Sequence, residues 1–100
     1  MADESFRGLF KVVFKGAVTV DLSDAATGSG TFGSATATVN GVLAGDHVIL
    51  IPKTADTAGA PRFGDVSAAN TVRVTVLNNS AGDVNYGSET YKIVVMRPTF

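Results

Sequence analysis

The hydrophobic positions of this chain recur with a period of two. In Ala17-Val18-Thr19-Val20-Asp21-Leu22, the apolar residues Val18, Val20 and Leu22 alternate with Thr19 and Asp21. Such alternation marks a strand with one face buried. Thr71–Leu77 repeats the pattern, with Val72, Val74 and Val76 facing one way and Arg73 and Thr75 the other. Upstream, Leu9-Phe10-Lys11-Val12-Val13-Phe14 places Phe10, Val12 and Phe14 on one face, and Lys15-Gly16 reads as a turn. Residues 31–39 set Thr36 and Thr38 against Ala35, Ala37 and Val39. His47-Val48-Ile49-Leu50-Ile51 is apolar on both faces after His47, as a covered strand would be, and Pro52 ends it. Residues 63–67 suggest a short strand, and residues 90–96 a last one closed by Pro98.

Turn chemistry separates these runs. Residues 23–30 and 53–61 are loops of small residues, Asn40-Gly41 and Ala44-Gly45-Asp46 are tight turns, and Asn78-Asn79-Ser80-Ala81-Gly82-Asp83 is another, with Tyr86-Gly87-Ser88 continuing it. Seven or eight short strands at this spacing predict an all-β fold. The expected form is a single antiparallel β-sandwich, jelly-roll or immunoglobulin-like. A chain of 100 residues fits one domain. Residues 1–8 are expected to form an N-terminal arm, 9–97 the sandwich and 98–100 a C-terminal tail.

Composition narrows the function. Hydrophobic residues make up 45% and charged residues 17%, which specifies a folded core. Eight Lys and Arg against nine Asp and Glu leave no basic surplus, so no nucleic-acid partner is expected. The absence of Cys removes disulfides, thiolate metal sites and a Cys nucleophile. With a single His, a zinc site lacks ligands, and neither metal nor cofactor is expected. The start, Met1-Ala2-Asp3-Glu4, is acidic and unlike a signal peptide, and no apolar run approaches a membrane span.

The motifs that spell chemistry lack its context. Gly28-Ser29-Gly30-Thr31-Phe32-Gly33 matches a dinucleotide fingerprint by letter, but a Thr-rich strand pattern follows where a helix is needed. It reads as a loop entering a strand. His47, the single histidine, has no nucleophile or carboxylate assigned to it, and reads as a half-exposed residue at a strand end. Asp21, Asp24, Asp46, Asp56, Asp65 and Asp83 sit mostly at turns, where Asp caps backbone N–H groups. Asn78-Asn79-Ser80 spells a sequon and reads as a turn. No catalytic residue emerges, and the chain is expected not to be an enzyme.

Two features point to contact surfaces instead. Both ends carry lone aromatics, Phe6 and Phe100, and chain ends need docking to be ordered; a partner subunit is the expected dock. Residues 48–51 and 93–96 are apolar on both faces, more than a two-layer sandwich can bury.

The run Ala44-Gly45-Asp46-His47-Val48-Ile49-Leu50-Ile51-Pro52 and the run Val66-Ser67-Ala68-Ala69-Asn70-Thr71-Val72-Arg73-Val74-Thr75-Val76 resemble a small β-sandwich module of tailed-bacteriophage virion proteins. Asn78, Ser80, Ala81 and Gly82, with Thr90-Tyr91-Lys92-Ile93-Val94-Val95, extend the resemblance over about residues 36–96. Such modules occur as capsid decoration or cement proteins and in tail fibres and tailspikes. The resemblance implies a structural virion protein on the capsid surface, made in the host cytoplasm, that assembles as a homotrimer and bridges major capsid subunits. A tail-fibre or tailspike-associated module for host-receptor binding is the alternative. The expected contact residues are Phe6, Leu9 and Phe10 near the start and Met96, Arg97 and Phe100 at the end. Neither a membrane nor a nucleic acid is an expected partner.

Overall fold

The computed structural model describes residues 8–22, 32–52, 61–78 and 86–100. They form an all-β sandwich of six strands: β1 (Phe10–Asp21), β2 (Phe32–Thr38), β3 (His47–Pro52), β4 (Arg62–Ala68), β5 (Thr71–Leu77) and β6 (Ser88–Pro98). The strands make two three-stranded sheets, ordered β1-β6-β3 and β2-β5-β4, with every neighbouring pair antiparallel. Six strands among the described residues stand against the seven or eight expected. β1 and β2 lie in opposite sheets, as do β2 and β3, and β3 and β4. The chain thus passes from one sheet to the other at each of these three connections.

The alternating stripes meet between the sheets. Val18 and Val20 of β1, Tyr91, Ile93 and Val95 of β6, and Val48 of β3 pack against Val66, Val72, Val74 and Val76 of the other sheet. Leu22, Val39 and Val42 close the ends of this core. β-branched side chains suit it because their restricted χ1 leaves little rotamer freedom to lose.

The start of the chain departs from its sequence reading. Lys15-Gly16 is not a turn: β1 runs straight through it, with Lys15 paired to Val94 and Gly16 to Ile93. The glycine serves packing here. The Phe14 ring folds over it, so that a Cβ at Gly16 would stand 3.0 Å from Phe14 Cζ. The irregularity lies earlier, in a bulge at Val13, between the pairs Val12–Met96 and Phe14–Val95. A bulge inserts one residue and reverses which face follows. Phe10 and Val12 therefore share the outer face with Met96, whereas Phe14 joins Val18 and Val20 facing inward, and the three residues do not share a face as expected.

The other turns follow their chemistry. β4 and β5 are joined through Ala69-Asn70, where Asn70 takes a left-handed φ of 62°. That conformation is accessible to Asn at modest cost. Asn70 also ties the hairpin to the β2–β3 loop. Its Oδ1 accepts from the Gly41 N–H at 2.9 Å, its N–H donates to Val42 O at 2.9 Å, and its carbonyl accepts from the Val39 N–H at 2.9 Å.

The seam between β3 and β4 depends on Gly64. A Cβ there would lie 2.9 Å from Val48 Cγ1 and 3.3 Å from the Leu50 side chain. Val48 is buried and stiff, so the sheets must part to admit a side chain. Gly64→Val is expected to cost about 1–3 kcal/mol, read as a lowered denaturant midpoint.

Candidate functional site

Pairing register sorts the residues of β1, β6 and β3 onto two faces. The inward face carries the core. The outward face is built from cross-strand rows: Phe10 beside Pro98, Val12–Met96–His47, Lys15–Val94–Ile49, Ala17–Lys92–Ile51 and Thr19–Thr90. The first four rows are mainly apolar. Val12, Ile49 and Ile51 are 51%, 39% and 45% exposed, while Met96 between them is buried. A contiguous apolar sheet face in water marks a contact surface more specifically than scattered exposed residues do. Toward one end, Lys15, Ala17, Ile51, Lys92 and Val94 rim an open depression of about 360 Å³.

The residues expected to make contacts fall into three groups. Phe10, Met96 and Phe100 gather at the other end of this face. Phe10 and Phe100 meet edge to face with centroids 6.3 Å apart, and Phe100 is 87% exposed. Leu9 and Arg97 serve the chain itself. The Thr99 N–H donates to Leu9 O at 2.9 Å and the Thr99 hydroxyl to Gly8 O at 2.8 Å, so the C-terminal end is docked on the beginning of β1. That end has its dock within the chain, where a partner subunit was expected. Leu9 keeps an exposed side chain. Phe6 lies outside the described residues.

Arg97 turns instead to Asp46. Its Nε donates to Asp46 Oδ1 at 2.7 Å and its Nη2 to Oδ2 at 2.8 Å, and Nη2 also reaches Gly41 O at 3.1 Å. Asp46 Oδ2 in turn accepts from the Leu43 N–H at 2.9 Å, closing the turn foreseen at Ala44-Gly45-Asp46. The hydrogen bond from Arg97 holds the Asp46 carboxyl below its ordinary 3.8, against the opposing effect of burial. A carboxylate with a lowered folded-state pKa contributes stability that is complete above its unfolded value. That stability is lost as pH falls through the folded value. Asp46→Asn is therefore expected to cost about 1–2 kcal/mol at neutral pH and to flatten the loss of stability below about pH 4. Urea titrations between pH 7 and pH 2 read both effects.

A second polar cluster, not foreseen from the sequence, bridges the two sheets. Arg62 of β4 forks onto Glu89 of β6, with Nε to Oε1 at 2.7 Å and Nη2 to Oε2 at 2.8 Å. The Tyr91 hydroxyl donates to the same carboxylate, and the Arg62 guanidinium lies 5.0 Å from the Tyr86 ring centroid. Burial, then the bond to Glu89, push the Tyr91 hydroxyl pKa far up, so it stays protonated and donating. The Tyr86 hydroxyl is buried with no hydrogen-bond partner among the described residues.

The outer face of the β2-β5-β4 sheet has a different character. Ser34, Thr36, Thr38, Thr71 and Thr75 occupy it, with Arg73 forked onto Asp65 at 2.9 and 2.5 Å. At one end Phe32 and Phe63, both mostly exposed, meet edge to face at 6.4 Å. Its members stand on β2 and β4, far apart in sequence and brought together only by the sheet.

His47 opens β3, exposed on the outer face across from Met96. Of the glycine-rich motif, Phe32 and Gly33 begin β2, and positions 28–31 lie outside the described residues. Asn78 of the sequon is fully buried at the end of β5. Among the described residues no three His, Asp or Glu side chains are grouped to hold a metal, and no helix is long and apolar enough to cross a membrane. Compared with known proteins, the chain matches no family model, no curated protein and no solved structure.

Proposed function

We propose that this chain is a structural virion protein that decorates and cements a tailed-bacteriophage capsid, bridging major capsid subunits as a homotrimer. The observation that carries the reading is the apolar outer face of β1-β6-β3, where Val12, Ile49 and Ile51 stand in water over a complete core. A sandwich that already buries its valines between two sheets gains nothing for its own fold from that face. Burial against a shell removes it from water and stabilises whatever it spans. Phe10 and Phe100 extend the same surface. The sequence resemblance to decoration modules supplies the capsid.

A tail-fibre or tailspike-associated module for host-receptor binding is the second reading. The exposed Phe32–Phe63 pair favours it, since aromatic faces in water suit receptor contacts. Copy number separates the two. Mass spectrometry of purified particles is expected to find the chain at an abundance approaching that of the shell protein. A trace ratio would transfer it to the tail, and absence from particles would end both readings.

A further inference from the structure

Charge is sorted unevenly over this sandwich. Arg62, Arg73 and Arg97 each fork onto a carboxylate, Glu89, Asp65 and Asp46 respectively. Among the described residues Lys15 and Lys92 have no carboxylate partner. They rim the depression on the outer face of β1-β6-β3, side by side with Ala17, Ile51 and Val94. Lys15 pairs with Val94, two residues from Lys92, so the two lysines are diagonal cross-strand neighbours, about 7–8 Å apart at the backbone. Among the described residues the one acid on this face is Asp21. It stands at the far end of β1, beyond the Thr19–Thr90 pair, and is itself engaged. A chain whose formal net charge is −1 thus presents a locally cationic apolar patch.

The geometry points to a specific occupant: a protein segment that sets an aliphatic or aromatic side chain into the depression and a neighbouring Asp or Glu between Lys15 and Lys92. Charge complementarity selects this occupant over the alternatives. A second copy docked by the same patch would bring lysines against lysines. An anionic membrane is recognised by clusters of about four to eight basic residues, and this face has two lysines. This inference rests on the reading of the face as a contact surface and adds the chemistry of what it meets.

The test uses the full chain and a defined probe. Amide chemical shifts are followed while N-acetyl-Leu-Glu-amide is added, with N-acetyl-Leu-Gln-amide as the neutral control. The acidic probe is expected to move Ala17, Ile51, Lys92 and Val94 and to bind at least threefold more tightly than the neutral one. Lys15→Gln with Lys92→Gln, or 0.5 M salt, should erase that preference, as screening of an exposed pair requires. Equal binding of the two probes, or shifts confined to other faces, would overturn the inference. So would lysine-dependent binding to phosphatidylglycerol vesicles in place of the peptide, or self-association mapped to Ile51 and Val94. Particle copy number is scored separately. An abundant chain whose depression ignores the acidic probe defeats this inference alone. A probe-binding chain missing from particles defeats the capsid reading alone.

Discussion

Glu89→Ala is expected to lower the unfolding free energy by about 3 kcal/mol, the low end of the cost of breaking a buried ion pair. The Arg62 and Glu89 side chains are 9% and 23% exposed, so water restores little of what the substitution removes. The variant takes away both contacts of the Arg62 fork and the acceptor of the Tyr91 hydroxyl at once. Tyr91 is itself buried. In a domain of this size the loss corresponds to a melting point lower by roughly 12 °C or more. The cause can be isolated. Glu89→Gln keeps an acceptor for Tyr91 and should recover part of the loss. Arg62→Met with Glu89→Leu replaces the pair by apolar groups and should cost less than Glu89→Ala, because the desolvation cost of both charges disappears with them, while the Tyr91 hydroxyl still loses its acceptor. If the double variant is as unstable as Glu89→Ala, the cluster matters for its shape and not for its charge.

The second large effect concerns a residue next to an apparent equal. Ile93→Ala is expected to cost about 3–4 kcal/mol, whereas Val94→Ala should cost about 1 kcal/mol or less. Ile93 is 1% exposed and lies on the central strand, between Gly16 of β1 and Leu50 of β3, facing the valines of the other sheet. Val94 points the other way, into the outer apolar face, and is only half-buried. A slip of one residue in the β6 register would exchange their roles. Denaturant unfolding of the two variants therefore checks the registry on which the outer face is built. Equal losses would mean that both faces of β6 are covered in the isolated chain.

The parts of the fold written in the sequence are those that a period of two encodes. The stripes of Val18, Val20 and Leu22 and of Val72, Val74 and Val76 are inward as read, because strict alternation leaves one choice of buried face. Asn40-Gly41 and Ala44-Gly45-Asp46 were legible from turn chemistry, and Gly41 and Gly45 both take φ of 97°. The bulge at Val13 left no such trace. Val12 and Val13 are the same residue, and nothing in their chemistry says which one is skipped by the ladder. Gly16 misled for a related reason: glycine signals a turn when its backbone freedom is used, and here its missing side chain is used, beneath Phe14.

The site was half legible for reasons of distance along the chain. The two-faced apolarity of residues 48–51 and 93–96 pointed to an exposed face, and Phe10, Met96 and Phe100 lie on it. Val12 reaches that face only through the bulge. Lys15 and Lys92 become neighbours only because β1 pairs with β6, joining the two ends of the chain. Arg97 looked available for a contact, yet the fold brings Asp46 to it across the β3–β6 edge.

The most direct test of the outer face as the capsid contact is a double variant, Ile49→Lys with Ile51→Lys, offered to undecorated shells beside the unaltered chain. Both side chains are exposed and outside the core, on an edge strand where Lys is well tolerated. Its unfolding free energy is expected to fall by about 1–2 kcal/mol, because a lysine at position 51 stands directly across from Lys92, which leaves the chain folded. Its copy number on shells should fall at least tenfold. A folded double variant that decorates shells as fully as the parent would contradict the account.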